Sequence, residues 1–65
     1  MRKELRVLRA KHDLTQKDLA QKLGVEKASY CRKENGKSAF SLEDVIKLKN
    51  IFNLTPEEVV KIFLN

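Results

Sequence analysis

Leu14-Thr15-Gln16-Lys17-Asp18-Leu19-Ala20-Gln21-Lys22-Leu23-Gly24-Val25 is the stretch that decides how this chain folds. Thr15 has the side chain of a helix N-cap, and Asp18 stands three residues on, where a capping box needs a carboxylate. Leu14 before the cap and Leu19 after it can close a hydrophobic staple. The helix that starts here runs over 16–23 and stops at Gly24, a residue that adopts left-handed backbone angles without penalty. Ala20 is small enough to let a second backbone approach. Val25, with Tyr30 further on, is placed to pack the next helix against Leu19 and Leu23. The stretch therefore predicts two short helices joined by a tight turn and crossing closely.

A third helix is expected over 27–34, with Glu26 as a weak cap and Asn35-Gly36 as its end. Residues 35–40 read as a loop. Ser41 caps a fourth helix over 42–52, with Asp44 completing a second capping box. Thr55-Pro56-Glu57-Glu58 combines an N-cap, a proline at the first helical position and a glutamate at the third, opening a fifth helix over 56–63. Upstream, residues 2–12 form the first helix, with Leu5 and Leu8 on one face and Arg9 beside them. Two glycines and one proline are the only strong punctuators, and β-branched alternation is absent. The expectation is an all-α, compact five-helix domain spanning 1–65, without repeat or linker.

Leu42, Val45, Leu48 and Phe52 follow the spacing of a buried helix face. Phe40, Leu54, Val59 and Phe63 are expected to complete the core with Leu5, Leu8, Leu14, Leu19 and Leu23. Ile46, Ile51, Val60, Ile62 and Leu64 exceed what one small domain buries on a single face. The surplus on the fifth helix marks Val60, Ile62 and Leu64 as a dimer contact.

A chain of 65 residues buries only about 60% of the surface its unfolded form exposes. That leaves little room for a large substrate cleft. No apolar run approaches the roughly 18–20 residues that span a bilayer, and Met1-Arg2-Lys3-Glu4 does not open a signal peptide. The single cysteine, Cys31, excludes a disulfide within the chain and a multi-cysteine zinc site, and points to a reducing cytoplasm. His12 lies at the end of the first helix with no catalytic partner near it in sequence, and there is no glycine-rich phosphate loop or metal-ligand spacing. No catalytic residue, metal, cofactor, small-molecule substrate or membrane is expected. The charge is more informative. Residues 1–37 carry eleven basic and five acidic side chains, whereas residues 38–65 carry three and four. The first stretch carries +6 and the second −1, and this asymmetry within a net +5 suggests a single basic surface for a polyanion, most simply nucleic acid.

The two helices around Gly24 have the pattern of a helix-turn-helix, in which the second helix enters the DNA major groove. Together with Glu34-Asn35-Gly36-Lys37, Phe40-Ser41-Leu42-Glu43 and Leu54-Thr55-Pro56-Glu57-Glu58, the stretch 14–25 resembles the Xre-type family of phage repressors and Cro proteins. The resemblance covers about residues 4–63. It implies a sequence-specific regulator of transcription, of phage or prophage type. Such a regulator binds a pseudo-palindromic double-stranded DNA operator as a homodimer, at least on DNA, and acts by occluding polymerase.

On a helical wheel Lys27, Ala28, Cys31 and Arg32 share one side of the third helix, with Tyr30 and Lys33 opposite. Arg32 and Lys27 can donate to guanine O6 and N7, and Ala28 can offer a methyl contact to thymine. The resemblance places these three residues at base edges. It places Gln16, at the start of the second helix, on the DNA backbone, where free N–H groups and the helix dipole favour phosphate. Lys17, Ser29, Asn35, Lys37 and Ser38 are the other candidate backbone contacts. The resemblance also implies that Arg9 and Glu34 pair with each other, and that dimers form near the end of the fifth helix. Three residues depart from the family pattern. Lys33 replaces an aliphatic or aromatic residue and is expected to snorkel outward. Lys49 replaces a small apolar one, and Glu26 puts a negative charge near phosphates. The same fold also serves as a protein-interaction module of the antitoxin or anti-repressor type, and this remains the alternative.

Overall fold

In a computed structural model that describes residues 3–64, the chain forms α1 (Lys3–Lys11), α2 (Gln16–Leu23), α3 (Lys27–Glu34), α4 (Leu42–Phe52) and α5 (Pro56–Phe63). Four of the five expected ranges coincide with these. For the first, His12 lies in the turn that follows α1, and Arg2 lies outside the described residues. The agreement has a local cause. Thr15 and Asp18, Ser41 and Asp44, and Thr55 and Glu58 each form a complete capping box, so α2, α4 and α5 begin where their own side chains satisfy the first N–H groups. Glu26 makes no such bond, and α3 is bounded instead by the turn before it.

That turn is Gly24, at φ 74°. Its N–H reaches back to the carbonyl of Gln21, and the Val25 N–H to that of Ala20 at 3.0 Å. A Cβ added at Gly24 would meet no atom within 4 Å. The residue is therefore glycine for its backbone angle and not for space. Gly24→Ala is expected to cost about 1–2 kcal/mol, the penalty of a left-handed L-residue. Gly24→Asn, which tolerates that region, should cost less. Thermal melting of the two variants checks this, and equal losses would point to a steric cause. Asn53 at φ 53° ends α4 in the same left-handed way.

The core gathers Leu5, Leu19, Ala20, Leu23, Tyr30, Leu48, Phe52, Leu54, Ile62 and Phe63. Phe40 bridges its edges: its ring meets Tyr30 at 6.3 Å and Phe63 at 5.4 Å, both edge-on. The Cα radius of gyration is 10.6 Å, which matches the roughly 10.7 Å of a compact folded chain of this length. No helix of the described residues is long and apolar enough to cross a membrane.

Three packing expectations are corrected. Leu42 is 77% exposed rather than buried. At about 100° per residue it lies roughly 120° from Leu48, and the inward residue of that first turn is Asp44. Ile62 is 6% exposed and belongs to the core of its own chain. The inward stripe of α5 is Val59, Ile62 and Phe63, which leaves only Val60 and Leu64 of the three proposed dimer residues on the surface. Lys33 does not extend freely into solvent. Its side chain is largely covered, and its ammonium pairs with the Asp44 carboxylate.

Candidate nucleic-acid interface

α3 is held by two of its own residues, one turn apart. Tyr30 and Glu34 are fully buried. Lys27, Ala28 and Arg32 on the opposite side are exposed, and Cys31 and Ser29 are half-buried at its margins. Neither Lys27 nor Arg32 has a side-chain partner among the described residues. The helix thus presents two unpaired cations and a methyl group on a surface about 12 Å long, a length set by eight residues. An α-helix with its side chains is about 10–12 Å across, which fits the roughly 12 Å width of a B-DNA major groove.

The anchor on the buried side is a bidentate ion pair between α1 and α3. Arg9 Nε donates to Glu34 Oε2 at 2.8 Å, and Arg9 Nη2 donates to Oε1 at 2.9 Å. The third nitrogen, Nη1, donates to the Leu14 carbonyl at 3.2 Å, so the fork also holds the start of the stretch that leads into α2. Burial pushes the Glu34 carboxyl up, but the hydrogen bonds from Arg9 and Gln16 and the nearby Tyr30 hydroxyl pull it down further, and it stays below the ordinary glutamate value. The Glu34 carboxylate in turn raises Arg9. The Tyr30 hydroxyl is buried beside this pair and has no hydrogen-bond partner among the described residues. Burial, then the neighbouring carboxylate, push its ionisation far above the ordinary range.

Gln16 joins this network. Its Nε2 donates to Glu34 Oε1 at 3.2 Å. The amide at the start of α2 is therefore oriented by a carboxylate at the end of α3, and its other N–H and its oxygen remain for a ligand. Arg9, Leu14, Thr15, Gln16, Lys17 and Lys27 line one shallow hollow, which brings two backbone-contact candidates beside a base-contact candidate. Asn35, Lys37 and Ser38 are exposed in the loop after α3. The Lys37 and Ser38 N–H groups are turned inward, to the Arg32 carbonyl at 2.8 Å and 3.2 Å. Asn35 Nδ2 lies 3.3 Å from Cys31 Sγ, so this side chain is steered by α3. Of the pair Asn35-Gly36, only Gly36 takes a left-handed angle.

The Lys33–Asp44 pair that spans this loop is not among the sequence expectations. Two side chains eleven residues apart carry a signal only in combination: a cation on the buried side of α3 and a carboxylate already assigned to a cap. Burial pushes Asp44 up, but Lys33 and the Ser41 cap pull it down further, and it remains below the ordinary aspartate value.

Geometry and charge together define a helix-turn-helix protein with an exposed basic face on α3. The helix-turn-helix family model matches residues 5–59, and the chain belongs to that family. It is similar to an uncharacterised HTH-type transcriptional regulator of Methanocaldococcus jannaschii. The two are 39% identical over 59 residues, which is 91% of this chain and 89% of the relative. An HTH-type regulator of Archaeoglobus fulgidus is 37% identical over 59 residues, 91% of this chain and 84% of the relative. No solved structure matches the chain.

Proposed function

We propose that this helix-turn-helix-type DNA-binding transcriptional regulator is a repressor of the phage or Cro kind. It binds a pseudo-palindromic operator as a homodimer and acts by occlusion. The observation that carries the reading is the two-sided α3, with Glu34 and Tyr30 fully buried while Lys27, Ala28 and Arg32 stay exposed and without a side-chain partner among the described residues. Lys27 and Arg32 read base edges, and Ala28 contacts a thymine methyl. Gln16, Lys17, Ser29, Asn35, Lys37 and Ser38 position the domain on phosphates. Val60 on α5 and Leu64 at its C-cap, both exposed, supply the apolar dimer contact. A two-fold pair then sets its recognition helices about one DNA turn, roughly 34 Å, apart.

Selection from a random duplex pool tests this. A two-fold symmetric site is expected to enrich, and a lone half-site would remove the dimer while keeping the DNA function. Binding to the selected duplex should weaken steeply with salt. Lys17 and Lys37 in each of two protomers give four neutralised phosphates and a log–log slope near −3.6, or about 10²-fold weaker binding between 50 and 200 mM salt. A flat slope with no enriched site would sink the operator reading in favour of a protein partner.

A further inference from the structure

We propose that Lys33 and Asp44 form a positioning latch, which sets the backbone-contact loop 35–41 against the recognition helix. The inference rests on the DNA reading above and deepens it. The loop is clamped at its start by α3: Gly36 N–H donates to the Lys33 carbonyl at 3.2 Å, and Lys37 and Ser38 N–H both donate to the Arg32 carbonyl. It is clamped at its end by α4: Ser41 N–H donates to Asp44 Oδ2 at 3.2 Å, and Asp44 N–H to Ser41 Oγ at 3.1 Å. These two clamps are independent of each other. The Lys33 ammonium, placed on that same Oδ2, ties one directly to the other by a polar contact.

Stability alone gives little reason for such a contact. Asp44 is 6% exposed. A buried ion pair returns roughly what its desolvation costs, and well-packed apolar residues would serve the fold at least as well. What a directional pair adds is a defined distance between two elements. Phosphate contacts need that definition, because Asn35, Lys37 and Ser38 must meet the DNA backbone while Lys27 and Arg32 meet the bases of the same half-site. Lys33 is a positioning residue here. Its charge is neutralised by Asp44 and it contacts no phosphate itself.

Bulk electrostatics and the latch predict opposite signs. Asp44→Asn removes a negative charge, and the amide oxygen can still accept from Ser41. Charge counting says that DNA binding should tighten. The latch says that it should weaken. The double variant Lys33→Met with Asp44→Asn leaves the formal net charge unchanged and buries no unpaired ion, so it keeps the fold testable if Asp44→Asn alone does not. Binding of both to the selected duplex is measured over a range of potassium chloride, with unfolding curves confirming that each variant is folded. The expected result is binding about three- to tenfold weaker, because one or two side chains are no longer preorganised. The salt slope should be shallower by about 0.9 for each phosphate that Lys37 no longer neutralises, with the base preference of the site unchanged. Wild-type affinity and slope in the folded double variant, or tighter binding by Asp44→Asn, would overturn the latch. Failure of the wild type to bind any duplex would overturn the DNA reading and the latch with it, and is distinguished by needing no variant.

Discussion

Glu34→Ala is expected to remove about 3 kcal/mol, roughly a third or more of what holds this domain folded. A chain of this length has about 3–10 kcal/mol of stability in total. Removing one member of a buried ion pair costs about 3–5 kcal/mol, because the other charge is left without its partner. The lower end applies here: the Arg9 side chain is 17% exposed and can recover some hydration, whereas that of Glu34 is 1% exposed. The same substitution strips Gln16 of its acceptor. Replacing both members, Arg9→Met with Glu34→Leu, should restore most of the stability and still weaken DNA binding, since Gln16 loses the group that orients it. Denaturant unfolding of the single and double variants checks the first statement. A double variant as unstable as the single would show that the pair is not what the domain depends on. The pair also sets an acid limit. Glu34 and Asp44 are both depressed in the folded chain. Their contribution is complete above the unfolded carboxyl range, near pH 4, and is lost as pH falls through the depressed folded values. Stability should therefore be flat from neutrality to about pH 5 and fall below pH 4.

Arg32→Ala should cost about 1–3 kcal/mol per half-site on the selected operator, and about twice that on a two-fold site. The side chain is exposed and unpaired among the described residues, so its removal exposes no buried partner and should leave the melting curve almost unchanged. The loss should be confined to one base pair in each half-site, where the preference relaxes. Lys37→Ala makes the contrast. It should weaken all duplexes alike and reduce the magnitude of the salt slope by about 0.9 for each phosphate left unneutralised. Selection with Arg32→Ala that returns the wild-type site with unaltered base frequencies would take Arg32 out of the base-reading set.

Helix limits are legible because their signals lie within one turn. Thr15 and Asp18, Ser41 and Asp44, and Thr55 and Glu58 close their boxes across three residues, whatever the rest of the chain does. Gly24 ends α2 by its own backbone preference. The two sides of α3 are legible for a related reason: a helical wheel needs only the pitch. Arg9 with Glu34 is legible through family resemblance alone, since 25 residues separate them.

Periodicity gives the angle at which a side chain leaves a helix, but not what stands there to meet it. Leu42 shares an apolar spacing with Val45 and Leu48, yet it sits in the first turn of α4 where Asp44 faces inward. Ile62 looks surplus in the sequence because neighbouring apolar residues compete for the core, and only the docking of α5 settles that Ile62 is covered while Val60 and Leu64 are not. Lys33 is expected to reach outward, and instead it meets a carboxylate on another helix. Gln16 reads as a ligand contact, and the fold adds the carboxylate that orients it. Helix ends, charge asymmetry and the exposed basic face of α3 follow from residues close in sequence. Burial, the latch and the orientation of Gln16 come only with the packing of helices on one another, because each depends on groups 11 to 25 residues apart.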